Sequence, residues 1–324
     1  MDEKEHIRLI GGSANSELAE EISSKLGVPL TPIEVKRFND GEIYCKVKNS
    51  VRGCKVFVIQ STSNPVNENL MELLILVDAL KRASAKEITA IIPYYGYGRQ
   101  DRKAEPREPI TAKLVANLLT KAGVDRVITF DLHVEQIQGF FDIPVDNLEA
   151  IPQIAEYLLD KKIVDPIVVS PDVGGTKRAI RLAKLIDAPL AIIDKRRPAH
   201  GESKIMNVVG EVKGKTVILI DDIIDTAGTI SKAAEVMLEK GAREVYICAS
   251  HAVFSGKAIE KLGSDAIKEV IVTNTIKIAD EKKIGKIKII SVASLLSESI
   301  KRVYEGLPLG VLFEGIYDRL AKKR

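Results

Sequence analysis

The sequence predicts an α/β fold assembled from two tandem copies of one unit, each a mostly parallel sheet flanked by helices. Three observations carry that reading. Short apolar runs rich in β-branched residues alternate with helical patterns along both halves, as strands buried on both faces and joined by crossover helices require. The chain also matches itself at an offset of 160 residues: Ile7-Arg8-Leu9-Ile10-Gly11-Gly12-Ser13 falls on Ile167-Val168-Val169-Ser170-Pro171-Asp172-Val173, Ala19 on Ala179, and Val28-Pro29-Leu30 on Ala188-Pro189-Leu190. At offset 161, Gly53 falls on Gly214 and Val56-Phe57-Val58-Ile59 on Val217-Ile218-Leu219-Ile220. A collinear series of this kind marks a duplication. Finally, every compositionally unusual segment follows the end of a strand, where open α/β sheets bind ligands.

Taken in order, the first-half strands are expected near 7–10, 55–60, 88–93 and 126–130, with partners near 167–170, 216–221, 244–250 and 269–272. The apolar helix from Leu70 to Leu80 corresponds to one starting near Thr229, whose Ile230, Ala233, Val236 and Met237 recur at helical spacing before Lys240-Gly241 stops it. Segments 42–48 and 205–212 read as an antiparallel flap or hairpin in each copy. The boundary falls near Leu148-Glu149-Ala150, giving domains 1–148 and 149–293. The tail from Ser294 to Tyr304 is amphipathic, and the helical stretch of about 294–324 is expected to pack back on the first half.

A chain of 324 residues has room for two ordinary domains, and 45% hydrophobic with 29% charged residues describes a globular protein with large cores. The net charge of +3 is nearly balanced, which argues against a protein that coats nucleic acid. Three cysteines, Cys45, Cys54 and Cys248, without a C-x-x-C pair, suggest neither a disulfide framework nor a structural zinc site. The charged start leads straight into a strand, and no apolar run approaches the ~20 residues that span a bilayer. A cytoplasmic enzyme with no membrane partner is the expectation.

The most informative stretch is 216–231. After the apolar strand come Asp221 and Asp222, then Asp225-Thr226-Ala227-Gly228-Thr229 and a helix start. The loop N–H groups and the helix N-terminus can cradle a phosphate, because Ala227 and Gly228 let the backbone approach closely. The acidic pair would repel that phosphate, so it suits hydroxyls or a metal-bound ligand; a sugar phosphate supplies both ends. The bland counterpart is an ordinary capped turn with solvated acids. The corresponding segment of the first copy, Gln60-Ser61-Thr62-Ser63-Asn64-Pro65, lacks the acids and the glycine, so only the second copy retains the cradle.

Five other segments stand out. Arg99-Gln100-Asp101-Arg102-Lys103 follows a turn rich in tyrosine and glycine, and either faces a polyphosphate or is a solvated charged loop. Asp131-Leu132-His133 closes a strand; a histidine there can meet a divalent metal or a phosphate, or be a hydrogen-bonded structural residue. Ser170-Pro171-Asp172-Val173-Gly174-Gly175 sets a carboxylate before two glycines, which fits Mg²⁺ amid phosphates or a plain Pro-Asp turn. Lys195-Arg196-Arg197-Pro198 ends a strand in charge, as an exposed tip or as an arm that closes on a charged transition state. A fifth, Arg37-Phe38-Asn39-Asp40-Gly41-Glu42, combines a ring, two acids and a glycine turn, and fits either a purine or an exposed turn.

Together these segments resemble class I ribose-phosphate pyrophosphokinase, in the family's order and over nearly the whole chain. Arg107-Glu108-Pro109-Ile110-Thr111-Ala112-Lys113 and Gln136-Ile137-Gln138-Gly139-Phe140-Phe141-Asp142-Ile143-Pro144 complete the set. The resemblance implies two type I phosphoribosyltransferase-like domains and transfer of diphosphate from ATP to the 1-hydroxyl of ribose 5-phosphate. It implies a 5-phosphate site at Asp225, Thr226, Ala227, Gly228 and Thr229, with Asp221 and Asp222 at the ribose hydroxyls. His133 and Asp172 would meet Mg²⁺. Arg99, Gln100 and Asp101 would contact ATP, with Phe38, Asp40, Gly41 and Glu42 reaching the adenine from a neighbouring subunit of a homo-oligomer, in the family a hexamer built from dimers. Lys195 and Arg197 would be the catalytic cations. One departure is plain: a serine-bearing C-terminal motif, used by regulated members for phosphate and ADP, is replaced by Glu305-Gly306-Leu307-Pro308-Leu309-Gly310-Val311-Leu312-Phe313.

Overall fold

The computed structural model describes residues 6–196 and 205–323. The chain divides into two units, the first holding the chain through Glu149 with Thr275–Lys277 and Ser291–Leu309, the second Ala150–Asn274, Ile278–Ile290 and the chain from Gly310.

In the first unit, strands β1 (Ile7–Gly11), β4 (Lys55–Ile59), β5 (Glu87–Ile92), β6 (Arg126–Phe130) and β7 (Val145–Leu148) form a sheet in that order, all parallel. Between β1 and β4 lie helix α1 (Ser16–Leu26) and an antiparallel hairpin of β2 (Ile33–Arg37) and β3 (Ile43–Val47) that stands as its own two-stranded sheet. Helices α2 (Val66–Arg82) and α3 (Thr111–Ala122) complete the crossovers. Val56 and Val58 of β4, Ala90 and Ile92 of β5 and Leu73, Leu76, Val77 and Leu80 of α2 are buried in one core. Apolar residues at these spacings put one stripe of α2 on the sheet, which is why 66–82 forms a stable helix.

In the second unit, β8 (Pro166–Ser170), β11 (Thr216–Ile224), β12 (Glu244–Ala252), β13 (Glu269–Thr273) and β14 (Ile287–Ile290) are likewise parallel and in the same relative order. Here β9 (Leu190–Arg196) adds beside β8, and β10 (Ile205–Val209) pairs with it antiparallel at the edge, so the second copy's hairpin extends the sheet instead of standing apart. Helices α6 (Gly228–Glu239) and α7 (Ala258–Leu262) cover one face, while α4 (Ile151–Asp160) and α5 (Thr176–Ile186) cover the other.

The repeat is visible in detail. Helices α1 and α5 sit 160 residues apart, and the caps that end them, Gly27 and Asp187, both take left-handed conformations with φ of 65° and 52°. The short edge strands β7 and β14 lie outside the strands expected from sequence. Strand β11 runs through both acids to Ile224, beyond the expected end near 221. The tail corrects a further expectation. It is not one helix on the first half but two helices: α8 (Ala293–Glu305) packs against α1 in the first unit, and α9 (Gly310–Lys323) packs against α4 and α5 in the second. The chemistry of α9 explains its placement. Leu320 is buried in the core under α4 and α5, Tyr317 accepts a hydrogen bond from Arg181 at 2.6 Å, and Lys323 pairs with Glu156 and Asp160.

Candidate active site

Strand β11 carries the acidic pair at its C-terminal end. Successive residues of a strand face opposite sides, so Asp222 is buried while Asp221 stays partly open. Asp221 Oδ1 accepts the Asp222 backbone N–H at 2.8 Å. The first turn of α5 brings Arg178 between the two, its guanidinium 3.4 Å from a carboxylate oxygen of each. Sequence reading missed Arg178, because Lys177-Arg178 looks like ordinary helix surface; only the placement of α5 beside β11 reveals it. Two carboxylates and one guanidinium leave excess negative charge in a confined place. Burial, and then the charge of Asp222, push the Asp221 carboxyl up to about 7.

That shift has a sign. Asp221 holds its proton in the folded chain to higher pH than in the unfolded chain, so it subtracts stability as pH rises from about 4, and the loss levels off above about 7. Asp221→Asn, which keeps the Oδ1 acceptor, is expected to raise the thermal midpoint by about 2–4 °C at pH 8 and by much less at pH 4. Equal midpoint changes at both pH values in calorimetry would contradict this.

After β11 the chain turns through 225–229. Ala227 has φ 57°, an unusual left-handed setting for a residue with a Cβ, and it stands immediately before α6. Left-handed and right-handed residues in succession aim consecutive N–H groups to one side, the geometry of an anion nest at a helix N-terminus. Thr226 and Thr229 are exposed, Gly228 is half-exposed and Asp225 is held by a hydrogen bond donated from the Ser255 hydroxyl. Asp172 follows β8; its Oδ1 accepts the Gly175 N–H at 2.9 Å, and the Ser170 hydroxyl donates to its carbonyl at 2.6 Å.

The first unit has no such cradle at the matching place. In the segment after β4, Gln60, Ser61, Thr62 and Ser63 are all buried. The loop after β1 has N–H groups that an anion would want, yet they are already used: Ser13 donates its N–H at 2.7 Å and its hydroxyl to the Glu72 carboxylate, and Ala14 donates to Gln60 Oε1 at 3.0 Å. Glu72 is thus an internal anion on the loop after β1, the counterpart of the Asp172 loop after β8.

The same buried segment supports the turn after β5. Thr62 Oγ1 accepts the Gly96 N–H at 2.7 Å and donates to the Tyr94 carbonyl at 3.1 Å. Tyr95 is buried, donates to the Ala112 carbonyl at 2.9 Å and meets Phe141 edge-on at 5.7 Å. From this rigid base Arg99 and Gln100 project exposed and Asp101 half-exposed, with the Gln100 carbonyl taking the Ala112 N–H at 3.1 Å. On the β2–β3 hairpin, Phe38 N–H bonds the Glu42 carbonyl at 2.8 Å, Gly41 turns with φ 96°, and Asp40 Oδ1 accepts the Glu42 N–H at 3.1 Å. Phe38 is 55% exposed, with Tyr44 edge-on to it. A large ring held out on a tight turn is available for stacking.

His133 is exposed on the loop after β6. Among the described residues no three His, Cys, Asp or Glu side chains gather into a preformed metal cage. Asp172, half-buried at its strand end with a carboxylate beside two glycines, has the chemistry of a hard-ion ligand that leaves most positions to water and phosphate oxygens. Lys195 lies at the end of β9, its backbone registered with Met206. Arg197 lies outside the described residues. No helix among the described residues is long and apolar enough to cross a membrane.

Comparison with known proteins agrees with this architecture. Residues 7–123 match a family profile described as the N-terminal domain of ribose phosphate pyrophosphokinase, and residues 191–314 match the phosphoribosyl synthetase-associated domain. A ribose-phosphate pyrophosphokinase of Fusobacterium nucleatum is 56% identical over 310 residues, covering 95% of this chain and 98% of the relative. One of Bacillus caldolyticus is 57% identical over 315 residues, covering 97% and 100%. The crystal structure of phosphoribosylpyrophosphate synthetase from Mycobacterium smegmatis aligns with a TM-score of 0.89 at 45% identity, covering 93% of this chain and 99% of that one. The chain belongs to the ribose-phosphate pyrophosphokinase family.

Proposed function

We propose that this protein transfers the diphosphate group of ATP to the 1-hydroxyl of ribose 5-phosphate as a cytoplasmic enzyme, giving 5-phosphoribosyl 1-diphosphate and AMP. The observation that carries this reading is the contrast between the two copies. The second unit keeps an open nest at 225–229 beside the Asp221–Asp222 pair, whereas the first buries the matching segment at Gln60, Ser61, Thr62 and Ser63 and instead presents Arg99, Gln100 and Asp101. A protein that merely consumed the activated sugar would have no use for the altered first copy.

In the proposed reaction the 5-phosphate lies on the N–H groups of 225–229 and the ribose hydroxyls donate to Asp221 and Asp222. Arg178 keeps that pair from repelling the sugar's phosphate. Arg99, Gln100 and Asp101 receive the triphosphate, and Phe38, Asp40, Gly41 and Glu42 receive the adenine, supplied from a neighbouring copy in a homo-oligomer. The 1-hydroxyl oxygen bonds to the β-phosphorus, the bond from that phosphorus to the α,β-bridging oxygen breaks, and the oxygen leaves with AMP while the hydroxyl proton is released. Orientation in line supplies much of the acceleration. Lys195 and Arg197 meet the charge that develops on the departing AMP. His133 and Asp172 are the residues proposed to hold Mg²⁺, which when bound neutralises the triphosphate.

The test is direct. With ATP, Mg²⁺ and ribose 5-phosphate, AMP and 5-phosphoribosyl 1-diphosphate should accumulate one for one; absence of AMP removes the proposal. Pyrophosphate release from 5-phosphoribosyl 1-diphosphate and a nucleobase would favour a transferase instead.

A further inference from the structure

Two side chains far from 221–229 in sequence hold its loop, and one of them is a cation. After β12 the Phe254 N–H donates to the Ile224 carbonyl and the Ser255 N–H to the Asp225 carbonyl, both at 3.0 Å. Helix α7 then carries Lys261 back over the loop. Its Nζ donates to the Thr226 carbonyl at 3.1 Å and lies 3.3 Å from the point a Cβ on Gly228 would occupy. Among the described residues no ion pair takes up its charge, and the adjacent Glu260 turns to Lys257 instead.

An ammonium here is on the wrong end of a helix for stability alone. Helix α6 begins at Gly228 with no acid in its first turn, and a helix N-terminus is already the positive end of the dipole. The arrangement makes electrostatic sense when an anion is present. The bond also fixes a direction. In a planar trans peptide the C=O and the following N–H lie on opposite edges. With the Thr226 carbonyl turned to Lys261, the Ala227 N–H faces the other way, and a cation on the carbonyl strengthens that N–H as a donor.

We propose that Lys261 is a positioning residue of the sugar-phosphate cradle. It does not touch the phosphate; it holds the Thr226–Ala227 peptide so that the Ala227 N–H is presented to the 5-phosphate, and its charge offsets the incoming dianion. This rests on the reading of 225–229 as the 5-phosphate cradle.

The experiment compares Lys261→Met, Lys261→Arg and, as a control on the cradle itself, Thr229→Val, with initial rates over both substrates, direct titration of ribose 5-phosphate and a thermal midpoint for each variant. Lys261→Met should raise the KM and Kd for ribose 5-phosphate at least about fivefold, with kcat and the KM for ATP moving less than about twofold, as loss of a uniform binding term requires. Lys261→Arg should recover most of the loss, and the midpoint of the Met variant should not fall. A sugar KM below that threshold, a parallel rise in the KM for ATP, a lowered midpoint or no recovery with Arg would each overturn the inference. If Thr229→Val also leaves ribose 5-phosphate binding unchanged, the cradle reading fails with it; if Thr229→Val weakens binding and Lys261→Met does not, only the role of Lys261 fails.

Discussion

Lys195→Ala is expected to lower turnover about a thousandfold while the affinity for ribose 5-phosphate changes less than about threefold, the pattern of a cation that acts only on the transition state. The reason lies in where charge appears. Before reaction the triphosphate already carries its negative charge, which metal and basic residues neutralise. As the β-phosphorus bond breaks, new charge gathers on the oxygen leaving with AMP, and a side chain that meets it there contributes to kcat and little to ground-state binding. The end of β9 is a suitable place for such a residue, because that strand lies next to β8, whose end carries Asp172. Single-turnover rates of AMP formation and direct titration of the sugar measure the two quantities separately. Equal losses in both would make Lys195 a ground-state binder and remove it from the chemistry.

The second large effect concerns Gly96. A Cβ there would come within 2.2 Å of the Thr62 carbonyl oxygen, a backbone atom in a segment buried on all sides, so no flexible side chain can yield. Gly96→Ala must therefore move the turn. Overpacking of this kind costs about 1–3 kcal/mol, and displacement of Arg99, Gln100 and Asp101 by about an ångström is expected to lower kcat/KM for ATP about a hundredfold. The affinity for ribose 5-phosphate, which the proposal assigns to the other unit's nest, should hold. Unchanged ATP kinetics in this variant would show that the turn does not position the nucleotide.

Much of the fold was legible because the repeat is written in side chains that pack. The offset of 160 that pairs Ala19 with Ala179 becomes the matching place of α1 and α5, each following the first strand of its unit's repeat with its alanine fully buried. Gly27 and Asp187 show the limit of such matching: the same left-handed cap is made by two residue types, and no identity links them. The tail was misjudged because amphipathicity says that a helix has a buried face and not which core receives it. Leu320, Tyr317 and Lys323 find their partners on α4 and α5 through tertiary contact alone.

The acidic pair and the loop were readable because their chemistry is local, with five small or polar residues in a row after a strand. Arg178, Ser255, Lys261 and Glu72 were not, since each reaches its partner from another element. Lys261 is 35 residues from the carbonyl it holds, and Glu72 is 59 from the N–H it fills. The first copy's loss of the cradle lies at 60–65 itself, where the acids are missing and Gln60, Ser61, Thr62 and Ser63 are buried.

The account's central claim is that this chain makes the activated sugar by attack of the ribose 1-hydroxyl on the β-phosphorus of ATP. The most direct measurement uses ribose 5-phosphate labelled with ¹⁸O at the 1-hydroxyl, turned over with ATP and Mg²⁺ and read by ³¹P NMR and mass spectrometry. The account predicts that the label is retained in the bridge between C1 and the phosphorus that was the β-phosphorus of ATP, with unlabelled AMP formed in equal amount. Label in AMP, or ADP in place of AMP, would contradict it.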